Sequence, residues 1–136
     1  MDGKTFTVEI TTPQKKWQYE NVKSCTAPGT KGSFQVLYNH APLISQLEVG
    51  AIKLETTEGT ILFATSGGFT EVLNNHMSFL LETCEKAQDI DTARAEQAAR
   101  RARERLKSDE ADVDETRARA ALARAVNRIH VAGKTV

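Results

Sequence analysis

Apolar and polar positions alternate in Phe6-Thr7-Val8-Glu9-Ile10 and again in Ala51-Ile52-Lys53-Leu54-Glu55. This period of two turns one face of a strand inward and leaves the other wet. Turn-forming residues punctuate the same region at Thr12-Pro13, Pro28-Gly29, Thr57-Glu58-Gly59, Gly67-Gly68 and Asn74-Asn75, with β-rich stretches at 60–65 and 77–83 between them. Many short strands at near-regular spacing predict a β-sandwich or flattened barrel over residues 1–88, without revealing the strand order.

After residue 88 the period changes. Ala, Arg and Glu dominate, and neither Pro nor Gly occurs until Gly133, so the spacing predicts helix. Asp89 or Asp91 is placed to cap a first helix with apolar positions Ala95, Ala98, Ala99, Ala102 and Leu106. Ser108-Asp109-Glu110 breaks the pattern. Asp112 and Glu115 resemble a capping box for a second helix, whose stripe is Ala118, Leu122, Ala125, Val126 and Ile129 and whose stop is Gly133. The expected fold is therefore α+β, with an N-terminal β-sandwich followed by a two-helix antiparallel hairpin over residues 89–136. Alanine buries little apolar area, so a seam built mostly from it holds two helices weakly. Such a seam suits either a movable hairpin or a static close approach of two helices.

Charge sharpens the boundary. Residues 1–88 hold seven lysines, nine acids and no arginine, a net of −2, whereas the last 48 hold nine arginines and two lysines against nine acids, a net of +2. The halves cancel, so net charge points neither to nucleic acid nor to a membrane surface. The first residues lack the apolar core of a signal peptide, and no run approaches the roughly 20 apolar residues of a membrane span, so a cytosolic chain is expected. Cys25 and Cys84 are too far apart for a zinc-finger spacing and too few for a disulfide framework, which predicts two reduced, mostly buried thiols.

Catalytic signatures are missing from the sequence. Gly29-Thr30-Lys31-Gly32 is too short for a phosphate-binding P-loop, and Ser66 lacks the flanking glycines of a nucleophile elbow. His40, His76 and His130 are scattered, so no metal site is expected. One cluster does carry chemistry. If the helices fold back about a turn near residue 110, Arg94 falls beside position 126, which Arg124 and Arg128 flank on one helical face. Three guanidiniums then converge near a helix N-terminus, where unpaired N–H groups already favour an anion. Asp91 and Glu85 stand near enough in sequence to accept hydrogen bonds from an adenine amino group or a ribose hydroxyl. The plainer alternative is that Asp89, Asp91 and Glu96 neutralise these arginines as surface pairs. Arg100, Arg101, Arg103 and Arg105 form a further dense stretch, expected to be mostly solvated.

The segments Gly29 to Leu43, Gly67 to Val72, Ile90 to Ala95 and Arg124 to Arg128, taken in that order, resemble four motifs of the ε subunits of bacterial F-type ATP synthases. Gly29 to Leu43, ending in His40-Ala41-Pro42-Leu43 and followed by Leu47-Glu48-Val49-Gly50, is similar to one segment of that family, although Tyr38 stands where the family usually has proline. Gly67-Gly68-Phe69-Thr70-Glu71-Val72, Ile90-Asp91-Thr92-Ala93-Arg94-Ala95 and Arg124-Ala125-Val126-Asn127-Arg128 match three more. The resemblance implies a non-catalytic rotor subunit at the cytoplasmic face of a bacterial plasma membrane, peripheral to it through the complex and needing no cofactor. The sandwich would bind the γ subunit and the c-ring, with Ser33, Phe34, His40, Ala41 and Pro42 facing the ring. The helix pair would move between a folded state and an extended one that enters the α/β catalytic head and blocks hydrolysis. There its basic first helix could meet an acidic segment of the β subunit. Glu85, Ile90, Asp91, Arg94, Ala95, Arg124 and Arg128 match positions at which several bacterial members bind ATP as a regulatory ligand. An Arg-rich nucleic-acid-binding hairpin and a free-standing ATP sensor are the alternatives. The helices contain no aromatic residue to stack on bases, which argues against the first.

Overall fold

A computed structural model describes residues 4–108 and 114–134. Its strands are β1 (Phe6–Thr11), β2 (Lys16–Gly29), β3 (Gly32–Leu37), β4 (Leu43–Leu47), β5 (Gly50–Thr56), β6 (Gly59–Thr65), β7 (Gly68–Leu73), β8 (His76–Leu81) and β9 (Cys84–Lys86). The alternation read in β1 becomes a buried row of Phe6, Val8 and Ile10, with Thr7, Glu9 and Thr11 on the other side. The stretch expected to reach Thr83 ends as a strand at Leu81, and the chain re-enters the sheet two residues later in β9.

β1 pairs with β2 in antiparallel and with β8 in parallel fashion, and the ladder continues from β8 through β7 and β4 back to β2, so the sheet closes on itself. The 14-residue β2 makes this possible. Its first half pairs with β1, its second half runs between β3 and β5, and the register shifts near Val22 where the strand changes partners. β6 and β9 extend the β5 side. The result is the expected β-sandwich. Phe63, Phe79, Ile10, Ile52, Leu54 and Met77 fill its interior, and the rings of Trp17 and Tyr19 meet Phe63 edge-on at 5.4 and 6.4 Å between centroids.

Two turns explain their own sequences. Asn74 and Asn75 both adopt positive φ, 50° and 61°, as the two-residue hairpin between β7 and β8 requires. Gly68 has φ 151°, and a Cβ there would lie 2.1 Å from the Leu80 carbonyl oxygen, so only glycine lets β7 pair closely with β8.

A 3₁₀ turn (Ala87–Asp89) leads into helix α1 (Thr92–Lys107), and α2 (Glu115–Gly133) returns along it. Asp91 caps α1 by accepting from the Arg94 amide at 3.1 Å. The proposed box at Asp112 lies outside the described residues. Asp114 caps α2, accepting from the Arg117 amide at 3.0 Å. Ala95, Ala99 and Ala102 bury against α2, which contributes Ala118 and Ala125. Val126, expected in that stripe, is 42% exposed. At about 100° per residue it lies roughly 80° from Ala118 and about 100° from Ala125, to one side of their seam. The opposite face of α2, carrying Asn127 and Val131, turns to the sandwich, where fully buried Val131 joins Ala64 and Ile90 in a small second cluster. The hairpin is thus docked on β5, β6 and the 3₁₀ turn.

Candidate functional site

Between the docked hairpin and the end of the sandwich lies a cavity of about 870 Å³. The turn joining β1 to β2 supplies Lys15, the start of β9 supplies Cys84 and Glu85, α1 supplies Arg94, and α2 supplies Arg124 and Arg128. Arg128 and Glu85 form a two-pronged ion pair, Nε to Oε1 at 2.6 Å and Nη2 to Oε2 at 3.1 Å, with both side chains only partly exposed. One residue earlier, the Asn127 amide donates to the Gly50 carbonyl at 2.8 Å and to that of Thr65 at 3.4 Å. These bonds fasten α2 to β5, β6 and β9.

Among the described residues no carboxylate pairs with the guanidinium of Arg94 or Arg124 or with the ammonium of Lys15, which lies 5.7 Å from the centroid of the Trp17 ring. The alternative surface pairs with Asp89, Asp91 and Glu96 do not form among the described residues: the Asp91 carboxylate caps the helix and the arginines line the cavity. Cys84 shares the wall. Burial, with the Glu85 charge as a smaller second cause, pushes its thiol up to about 12. The neighbouring polar groups are satisfied locally: Thr65 Oγ1 donates to the Thr83 carbonyl at 2.9 Å and Thr83 Oγ1 to Ser66 Oγ at 2.8 Å.

Of the seven residues singled out from the sequence for this region, Glu85, Arg94, Arg124 and Arg128 line the cavity. The other three lie beside it: Asp91 caps α1, Ile90 is buried with Ala64 and Val131, and Ala95 is fully buried in the helix seam. Cationic residues that outnumber the acids around a cavity give it a positive potential.

Residues 5–87 match the family model described as ATP synthase, Delta/Epsilon chain, beta-sandwich domain, and residues 88–133 match the one described as its long alpha-helix domain. The chain belongs to the ATP synthase delta/epsilon chain family. It is 46% identical over 106 residues to an ATP synthase epsilon chain of Pelotomaculum thermopropionicum, covering 78% of this chain and 79% of that one. An ATP synthase epsilon chain of Syntrophomonas wolfei is 36% identical over 135 residues, 98% of each chain. Among solved structures, a chain of the Euglena gracilis mitochondrial ATP synthase superposes with a TM-score of 0.80 at 21% identity, over 93% of this chain and 82% of that one. A chain of the Tetrahymena thermophila mitochondrial ATP synthase central stalk and c-ring gives 0.66 at 17%, over 93% and 95%. At these identities the likeness is one of fold.

In this delta/epsilon chain the second group of singled-out residues is divided: His40, Ala41 and Pro42 lie at the other end of the sandwich, whereas Ser33 and Phe34 start β3 beside Pro28 and Ala27 of β2. β1 and β8 run in parallel from Thr7 opposite His76 to Thr11 opposite Leu80, so the Asn74-Asn75 turn and the Lys15 turn are at opposite ends. Ser33 is exposed on β3 while Phe34 packs partly against the core. His40, Ala41 and Pro42 sit in the turn between β3 and β4, where His40 Nδ1 donates to the Ala41 carbonyl at 2.7 Å. With Tyr38 in its first position, the turn is pinned by the Asn39 amide donating to Asn75 Oδ1 at 2.7 Å and Asn75 Nδ2 returning to Asn39 Oδ1 at 3.0 Å. Lys15 and Asn127 were not singled out from the sequence. Asn127 stood inside a quoted motif, but nothing local marks an amide as aimed at two distant carbonyls.

Proposed function

We propose that this chain is a non-catalytic central-stalk subunit of a proton-translocating F-type ATP synthase, at the cytoplasmic face of a bacterial membrane, with an ATP-responsive helical brake. The family match along nearly the whole chain supports the rotor role. The sandwich is the part that grips the γ subunit and the c-ring, the latter through the turn at His40, Ala41 and Pro42. An exposed apolar row on its outer face, Ile44, Phe69 and Leu80 at 74, 54 and 65% exposure, fits burial by a partner. The exposed arginines of α1, Arg100, Arg101, Arg103 and Arg105, fit an acidic segment of the β subunit once the hairpin has extended.

The observation that carries the switch is the cavity itself, because its three arginines come from the hairpin while its floor is the sandwich. A nucleotide bound there favours the docked state and withdraws the brake, since a ligand shifts a population only by binding one state better. Arg94 and Arg124 meet the phosphates, with Arg128 and Glu85 at the adjoining wall. Ile90, Asp91 and Ala95 shape the neighbouring helix start rather than the cavity lining. ATP should therefore raise the melting temperature of the isolated chain in a dose-dependent way. Arg124→Ala is the cleaner probe, since no carboxylate among the described residues pairs with Arg124, and it should abolish most of that rise while leaving the ligand-free melting temperature within about 2 °C. Arg128→Ala should do the same from a lower starting point, because it strands Glu85. Absence of ATP binding by calorimetry up to millimolar concentration would exclude the nucleotide switch and leave only the stalk role.

A further inference from the structure

We infer that Lys15, on the turn between β1 and β2, is the sandwich's own contact to the polyphosphate, so that a bound nucleotide clamps the two halves together. This rests on the nucleotide reading of the cavity. Among the residues lining that cavity, Arg94, Arg124 and Arg128 are cations carried by the hairpin, and Lys15 is the one cation carried by the sandwich. Its backbone is fixed. The Thr12 amide donates to the Lys15 carbonyl at 2.9 Å, and Thr12 Oγ1 accepts from the amides of Gln14 and Lys15 at 3.3 and 3.0 Å, closing a tight turn. Its side chain is uncommitted, with only the Trp17 ring near its ammonium among the described residues. The adjacent Lys16 is different, because it pairs with Glu9 on the outer face of the sheet.

The wall therefore carries four cations against the single carboxylate of Glu85. Such an excess suits a chain of phosphates better than one phosphate. From the hairpin arginines a triphosphate reaches farther toward the opposite wall than a monophosphate does. Contact with Lys15 is available only while the hairpin is docked, so this residue adds affinity to one state alone and strengthens the switch.

Titration calorimetry on the full chain tests this with ATP, AMP and tripolyphosphate as ligands. Lys15→Gln should weaken ATP and tripolyphosphate about three- to tenfold, as expected for one partly solvated charge-assisted hydrogen bond, and should leave AMP within about twofold. Lys16→Gln should leave all three within about twofold of the wild type. If Lys15→Gln binds ATP like the wild type while Arg124→Ala does not, the Lys15 contact is wrong and the nucleotide site stands. Equal weakening of ATP and AMP would overturn the polyphosphate assignment. If the wild-type chain binds neither ATP nor tripolyphosphate, the clamp and the nucleotide site both fall.

Discussion

Asn127 shows how much of the docking is carried by single side chains. Its amide reaches two carbonyls on different strands, Gly50 on β5 and Thr65 on β6, from a helix that otherwise meets the sandwich through one ion pair and a small apolar cluster. Removing it costs about 1 kcal/mol, which corresponds to roughly a fivefold larger undocked population. The protein contains its own reporter of that event. Cys84 lies on the wall of the cavity under the hairpin, while Cys25 is buried in the sandwich core and is independent of it. Burial holds the Cys84 thiol up at about 12, far from the thiolate at pH 8. Loss of the cover lets it fall toward its ordinary value, with more thiolate present. Asn127→Ala should thus speed Cys84 labelling by a disulfide reagent about fivefold at pH 8. Mass spectrometry should find Cys25 unchanged, and ATP should slow the reaction at Cys84.

At the scale of elements, the two helices are held by alanine. Ala95, Ala99, Ala102, Ala118 and Ala125 are all 3% exposed or less, so the seam is closely packed yet buries little area per residue. Close approach leaves no space for a larger side chain. Ala99→Leu should lower stability by about 1–3 kcal/mol through overpacking, read as an earlier helical transition in thermal circular dichroism. Val126→Ala, on the exposed side of α2, should stay within about 0.5 kcal/mol of the wild type. A comparable loss at both positions would mean that Val126 is covered and the orientation of α2 is wrong.

At the scale of the whole molecule, the described residues form two apolar clusters of unequal size. The larger lies wholly within the nine strands, and the smaller joins Ala64 of the sandwich to Ile90 and Val131. The strands keep their own core when the helices are gone. A chain ending at Ala87 should therefore fold, bind γ and support coupling in the assembled enzyme, while ATP hydrolysis rises because the brake is missing. Pull-down with γ and a hydrolysis assay at several ATP concentrations check both halves of this expectation. Loss of γ binding would show that the helices help form that interface, and unchanged hydrolysis would show that they are not an inhibitory arm.

Much of this was legible in the chain itself, because side-chain period and intrinsic propensity are local. The alternation at Phe6 to Ile10 marks a buried face whatever covers it, Asp91 caps a helix from three residues away, and the loss of Pro and Gly after residue 88 commits the segment to helix. The convergence of Arg94, Arg124 and Arg128 on one cavity was also within reach, since an antiparallel hairpin sets which turns of its helices meet. Only the tertiary structure decided what lies opposite each face. The parallel pairing of β1 with β8, nearly 70 residues apart, depends on a sheet closed through β2, and no window of sequence contains its energy. The same holds for Val131 being buried while Val126 is exposed, and for Asn127 reaching two strands. Lys15 faces hairpin arginines about 80 to 110 positions away, and that juxtaposition exists only once the hairpin has docked.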